Sequence, residues 1–212
     1  MTIWPPPQIP PFPPVRTPWR TEPRPSAPAP MSTQVAAAPG PLADRLLDHR
    51  IIALTGNLDR DASGRTVAAL ALLDASGDQP VRLRLTDVAA DLDTAFTVLD
   101  ALDLMRAEIH VTCLGTVAGG ALAVLVPARH RIASPHSLFH LCEPDAVCIG
   151  VGIEAEAARH RDRMRTLTAR IADTCGRPES DVAADMRAHR ILTADEARDY
   201  GLIDTVTGAH PA

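Results

Sequence analysis

Proline divides this chain before any other feature does. Fourteen of the 20 prolines fall in the first 41 residues. Each removes a backbone donor and fixes φ, so runs such as Pro5-Pro6-Pro7 exclude helix and sheet ladder and favour extended polyproline II. The expectation is a disordered tail over 1–41 and one folded domain over 42–212. The tail also satisfies P-x-x-P, the pattern of an SH3-type ligand, as any proline tract does. Met31 opens Met-Ser-Thr-Gln and offers an alternative start.

The domain must build its core almost without aromatics. Beyond residue 41 only Phe96, Phe139 and Tyr200 remain, so Ala, Leu, Val and Ile have to fill the interior. A stretch of this length buries roughly 70% of what its unfolded chain exposes, enough to fold alone. The formal net charge is −5, and Arg16, Arg20 and Arg24 outnumber Glu22 in the tail, which leaves the domain more acidic than the whole. Neither a nucleic acid nor an anionic membrane is an expected partner. No apolar run reaches about 18 residues, so no membrane helix is expected. No charged-then-apolar leader pattern opens the chain. Cys113, Cys142, Cys148 and Cys175 form no C-x-x-C pair. They are expected to be thiols in a reducing cytoplasm, with no metal site and no cofactor.

Periodicity gives the element order. Leu42–Asp48 reads as a short helix, Arg50–Thr55 as a strand and Asp61–Ala75 as a helix stopped by Gly77-Asp78. Val81–Leu85 alternates apolar residues with Arg, a strand with one polar face. Leu92, Ala95, Phe96, Leu99, Leu102 and Met105 follow the helical period, with Asp91 as the cap. Glu108–Leu114 reads as a strand, Gly120–Val126 as a buried helix, and Arg131–Ala133 and Ser137–Leu141 as short strands. Glu154–Cys175 is a long Arg-rich helix closed by Gly176 and Pro178. Asp181–Ala188 is helical, Thr193-Ala-Asp-Glu196 is a capping box, and Leu202–Val206 is a last strand. Repeated β-α-β units imply an α/β fold with a parallel sheet.

Strand, tight Gly turn and apolar helix across Val111–Val126 form a turn that lifts its apex residue out of a sheet, as a nucleophile requires. No hydroxyl or thiol stands at this apex; Thr116 precedes Gly119 by three residues.

Here the chain resembles the ClpP peptidase family. Gly115 to Leu122 is similar to the family's G-x-A-A-S-M-G-A, with Ala118 at the second Ala and Gly119 where the catalytic Ser belongs. Arg50–Gly56 resembles R-I-I-F-L-x-G. Arg190–Asp204 resembles R-F-L-S-A-x-E-A-x-E-Y-G-L-I-D over 15 positions without a gap. Leu138-Phe139-His140 resembles the strand that carries the catalytic His. The resemblance implies the ClpP/crotonase-type fold, with stacked β-α-β units and a protruding handle helix, here Glu154–Cys175. It implies triad remnants at His140, with His136 as runner-up, and at Asp185, counted back from Arg190. Where the family has N-S-P-G-G in its oxyanion loop, Thr86-Asp-Val-Ala-Ala90 stands here. Ala89 and Ala90 thus replace glycines that accept positive φ, Asp87 adds a carboxylate, and Gly120 remains as an oxyanion-loop equivalent.

The resemblance therefore implies a cytoplasmic Clp proteolytic-subunit homologue without its nucleophile. It would assemble as a homo-oligomer or as a mixed ring with active paralogues, in contact with a Clp ATPase. Its handle arginines, Arg159, Arg161, Arg163, Arg165 and Arg170, either bridge rings or form a solvated face. Two alternatives stay open. An active ATP-dependent serine endopeptidase would need another nucleophile, with Ser134 or Ser137 nearest the His strand. A crotonase-like enzyme would act on acyl-CoA.

Overall fold

The computed structural model describes residues 40–144 and 153–208. The proline-rich segment, Met31 and Cys148 lie outside the described residues. The first helix, α1 (Gly40–Asp48), begins two residues ahead of the expected start, with Pro41 in its first turn, where a missing N–H costs nothing. Then follow β1 (Ile51–Leu58), α2 (Arg60–Ala75), β2 (Val81–Ala90), α3 (Leu92–Asp103) and β3 (Ile109–Gly119). A 3₁₀ helix (Gly120–Leu125) leads to β4 (His130–Ala133) and β5 (Leu138–His140). The chain continues with α4 (Ile153–Cys175), α5 (Glu179–Arg187), β6 (Ile191–Thr193), α6 (Ala194–Tyr200) and β7 (Thr205–Val206).

One mixed sheet of seven strands organises the molecule. Its main path runs β1-β2-β3-β4-β7, all parallel, as the β-α-β pattern demands. β3 is the hub. Its first half pairs with β4 (His110 to Cys113) and its second half with β5 (Thr116 to Ala118). β6 adds to β5 antiparallel. In β2, Val81, Leu83 and Leu85 point inward and are fully buried while Arg82 and Arg84 are exposed. The alternation read from sequence is thus the inside-outside pattern of a strand.

Local chemistry fixes the helix ends. The Asp91 carboxylate accepts from Thr94 N–H at 2.8 Å and opens α3. Thr193 and Glu196 form the reciprocal capping box of α6, which Gly201 closes at φ 91°. Gly120–Leu125 is entirely buried but winds as 3₁₀ rather than α. A Cβ on Gly120 would stand only 2.7 Å from the Ala90 and Asp91 carbonyl oxygens, so this turn presses directly against the β2–α3 junction.

α4 divides into two halves. Leu167, Thr168, Ile171 and Ala172 are buried. Between Glu154 and Thr166 no side chain is. Two of its arginines reach another helix: Arg170 holds Asp103 of α3 at 2.5 and 2.8 Å, and Arg163 pairs with Asp93 of α3. Arg159 and Arg165 pair with Glu156 and Asp162 on their own helix. Among the described residues no helix is long and apolar enough to cross a membrane.

Candidate functional site

β3 ends on Gly119 at φ 57°, ψ −129°, a backbone state that L side chains rarely adopt. It is the sharp strand-to-helix turn that the sequence pattern implies. Parallel pairing sets Ala118 opposite His140, so the end of β5 lies beside this turn. A Cβ built on Gly119 would sit 3.5 Å from the Ala90 carbonyl oxygen and 3.6 Å from both Cys142 Sγ and Pro144 Cγ. These are ordinary contacts, so among the described residues space for a side chain remains.

The antiparallel β5–β6 pairing, His140 against Ile191, brings the α5–β6 segment alongside. Leu141 N–H donates to the Arg190 carbonyl at 2.8 Å and fastens the two. The rings of His140 and His189 stand 5.8 Å apart. Asp185, at the end of α5, turns elsewhere. Its carboxylate accepts from Arg190 Nη1 at 3.1 and 3.2 Å and from the Tyr200 hydroxyl at 2.9 Å. Among the described residues it shares no hydrogen bond with His140. The fold therefore gathers Gly119 and His140, and leaves the Asp185 carboxylate committed to Arg190 and Tyr200.

Burial, and then donation to the Asp185 carboxylate, push the Tyr200 phenol well above its usual value. The sign follows from linkage. A raised folded value stabilises fully below the unfolded phenol pKa of about 10, and that stabilisation drains away as pH rises above it. Tyr200 is the only tyrosine, so ultraviolet difference absorbance reads its ionisation alone. Phenolate is expected only well above pH ~10, coincident with alkaline unfolding. Asp185→Asn is expected to lower the midpoint; an unchanged midpoint would show that Asp185 does not hold the phenol.

Of the oxyanion-loop equivalents, Ala89 and Ala90 are extended strand and Gly120 opens the 3₁₀ helix. Ala89 pairs with Ala118, and Ala90 with Gly119. Positive φ falls instead on Asp87, at 50°, where the β2–β3 register slips between Thr86 and Val88. The Asp87 carboxylate accepts from Thr116 N–H at 2.9 Å and fills the space a side chain on Gly115 would need. It braces a bulge rather than facing the Gly119 turn.

The other candidates have structural duties or lie apart. Ser137 is fully buried and donates to the Cys113 carbonyl at 2.9 Å, and Ser134 and Ser137 share a hydrogen bond of 3.0 Å. His136 is exposed in the turn before β5. Cys113 is buried, its thiol pushed up to about 12 by desolvation, and desolvation likewise raises Cys175 to about 11. Sequence reasoning missed Cys142, His189 and the Tyr200–Asp185 bond. The His140-x-Cys142 spacing was visible; the approach of His189 depends on β6, which periodicity did not reveal.

Comparison with known proteins agrees with this geometry. The Clp protease family profile matches residues 40–210. "ATP-dependent Clp protease proteolytic subunit 1" of Bacillus cereus is 30% identical over 167 residues, covering 76% of this chain and 86% of that one. "ATP-dependent Clp protease proteolytic subunit 3" of Rhodococcus jostii is 30% identical over 173 residues, 79% of this chain and 86% of that one. The Treponema denticola "proteolytic subunit 2" is 28% identical over 170 residues, 78% and 85%. The parallel hub strand, the turn at Gly119 and a match running through all seven strands have one common account: this chain belongs to the Clp protease family.

Proposed function

We propose that this chain is a proteolytic-subunit homologue without peptidase activity of its own, one that assembles in, or regulates, a Clp peptidase ring. The observation that carries the reading is Gly119: the turn that would present a nucleophile presents a hydrogen. Losing the nucleophile of a serine triad costs about 10⁶ in turnover, which leaves only what binding and oxyanion donors supply, roughly 10³–10⁴ over water. The extended, paired Ala89-Ala90 strand and the commitment of Asp185 to Arg190 and Tyr200 argue the same way. Ser134 and Ser137, the alternative nucleophiles, are tied to each other, and Ser137 is buried.

The ring role rests on family membership and on the half of α4 that buries nothing. Arg159, Arg161 and Arg165 lie exposed on that half and are the arginines for a contact between rings. Arg163 and Arg170 serve α3 at home. The partner would be another copy or an active paralogue, with a Clp ATPase docking on the assembled ring in the cytoplasm.

The test incubates the purified full chain with a fluorophosphonate probe and a fluorogenic peptide, alone and with an active paralogue, with particle mass measured in the same samples. The expected result is an unlabelled chain, no peptide hydrolysis alone, and a ring-sized particle. Labelling of this chain, or hydrolysis by it alone, refutes the inactive reading. A monomer indifferent to the paralogue refutes the ring.

A further inference from the structure

We propose that His140, Cys142 and His189 bind a zinc-class transition-metal ion beside the Gly119 turn. Sequence offers no metal motif, because the ligands come from two separate segments: His140-x-Cys142 at the end of β5, and His189 in the turn between α5 and β6. The fold brings them together. One imidazole nitrogen from each His and the Cys142 sulfur all lie within 4.8 Å of one another. Zinc bonds of about 2.0–2.1 Å to nitrogen and 2.3 Å to sulfur place tetrahedral ligands roughly 3.3–3.6 Å apart. Closing that gap takes side-chain rotation of about an ångström, and His189 is exposed and has the room. Its backbone is held at φ 52°, in the left-handed region, which directs this residue out of the turn that ends α5.

The donor set selects the ion. Two imidazoles and a thiolate suit zinc and its soft neighbours, and exclude the hard magnesium and calcium, which take oxygen. A thiol nucleophile would need a single base; here two imidazoles converge on one sulfur, a complete three-ligand set with a fourth position for solvent. His140 and Cys142 are half-buried and His189 exposed, so an ion has both shielding and an entry path. Bound metal commits the His140 lone pair, and the imidazole that would have served a nucleophile becomes a ligand. A Cβ built on Gly119 would stand 3.6 Å from the Cys142 sulfur, so the three ligands adjoin the turn. This inference does not depend on the chain being inactive, because its readout is metal.

A second cluster, Glu108, His110 and His130, lies at the other end of β3 and contains no sulfur. Cobalt separates the two. The full chain, stripped with chelator and titrated with cobalt(II), is expected to develop a sulfur-to-cobalt charge-transfer band at one equivalent. Cys142→Ser, a near-isosteric change, is expected to abolish that band. His189→Ala is expected to weaken zinc binding by at least about 10-fold, the smallest loss typical of disturbing a metal site. His110→Ala is expected to leave the band in place. Circular dichroism confirms that each variant is folded. No band in the natural chain, a band that survives Cys142→Ser, a band lost in His110→Ala, or zinc affinity unchanged in His189→Ala overturns the proposal.

Discussion

Gly119→Ser is expected to fold and to become labelled by a fluorophosphonate probe that leaves the natural chain untouched. Among the described residues the new Cβ meets nothing closer than 3.5 Å, so the cost is one of backbone conformation. Holding a non-glycine residue at φ 57°, ψ −129° costs about 1–3 kcal/mol. Gly119→Ala bears the same strain without the hydroxyl and is the reference for stability and background labelling. The gain should depend on His140. General-base assistance is worth about 10²–10⁴ in rate, so Gly119→Ser/His140→Ala should lose labelling by that factor. Treating the protein with chelator first keeps His140 available. Recovery should nonetheless stop well below a complete triad: losing the correctly placed carboxylate costs about 10⁴ there, and Asp185 is occupied with Arg190 and Tyr200. A serine variant as stable as its alanine counterpart, yet unlabelled, would sink the idea that the absent nucleophile is the decisive lesion.

The second large effect concerns the support beneath His140. β5 pairs over only three residues on either side, so few backbone bonds fix it. Phe139 supplies the rest. It is fully buried, in register with Val117 of β3 and Leu192 of β6. The domain has just two other aromatics, so nothing of similar volume stands near in sequence to refill the space. Phe139→Ala is expected to cost about 3–5 kcal/mol, through lost burial and the cavity left behind. For a domain of this size that is a fall in melting temperature of roughly 6–20 °C. Thermal unfolding followed by circular dichroism measures it, with Phe139→Leu as the milder comparison. A loss under about 1 kcal/mol would mean that the surroundings collapse into the gap and that β5 does not depend on this ring.

What could be read in advance was local. The Asp91 cap, the Thr193–Glu196 box, the Val81–Leu85 alternation and the helical periods of α2 and α3 act within a few residues, and each appears in the fold as expected. Longer-range pairing was hidden. β2 continues to Ala90 and β3 to Gly119 because each strengthens the other, although Asp87 and Gly115 look like places for a strand to stop. β6 is only three residues long, ends on the cap residue Thr193 and, among the described residues, pairs with β5 alone. The site divides in the same way. Gly119 and His140 were found by family resemblance, which carries register across distance. The partners of Asp185 come from the residue just before β6 and from the end of α6, and no spacing rule announces them.

β3 shares one edge between two partners, β4 along its first half and β5 along its second. Folding and chemistry thereby rest on different lengths of the same strand. The β1-β2-β3-β4 ladder makes its hydrogen bonds without the β5–β6 ribbon, which among the described residues joins the sheet only along the second half of β3. Substitutions at the fork can therefore change what stands beside Gly119 while the parallel ladder that carries the scaffold keeps its pairing.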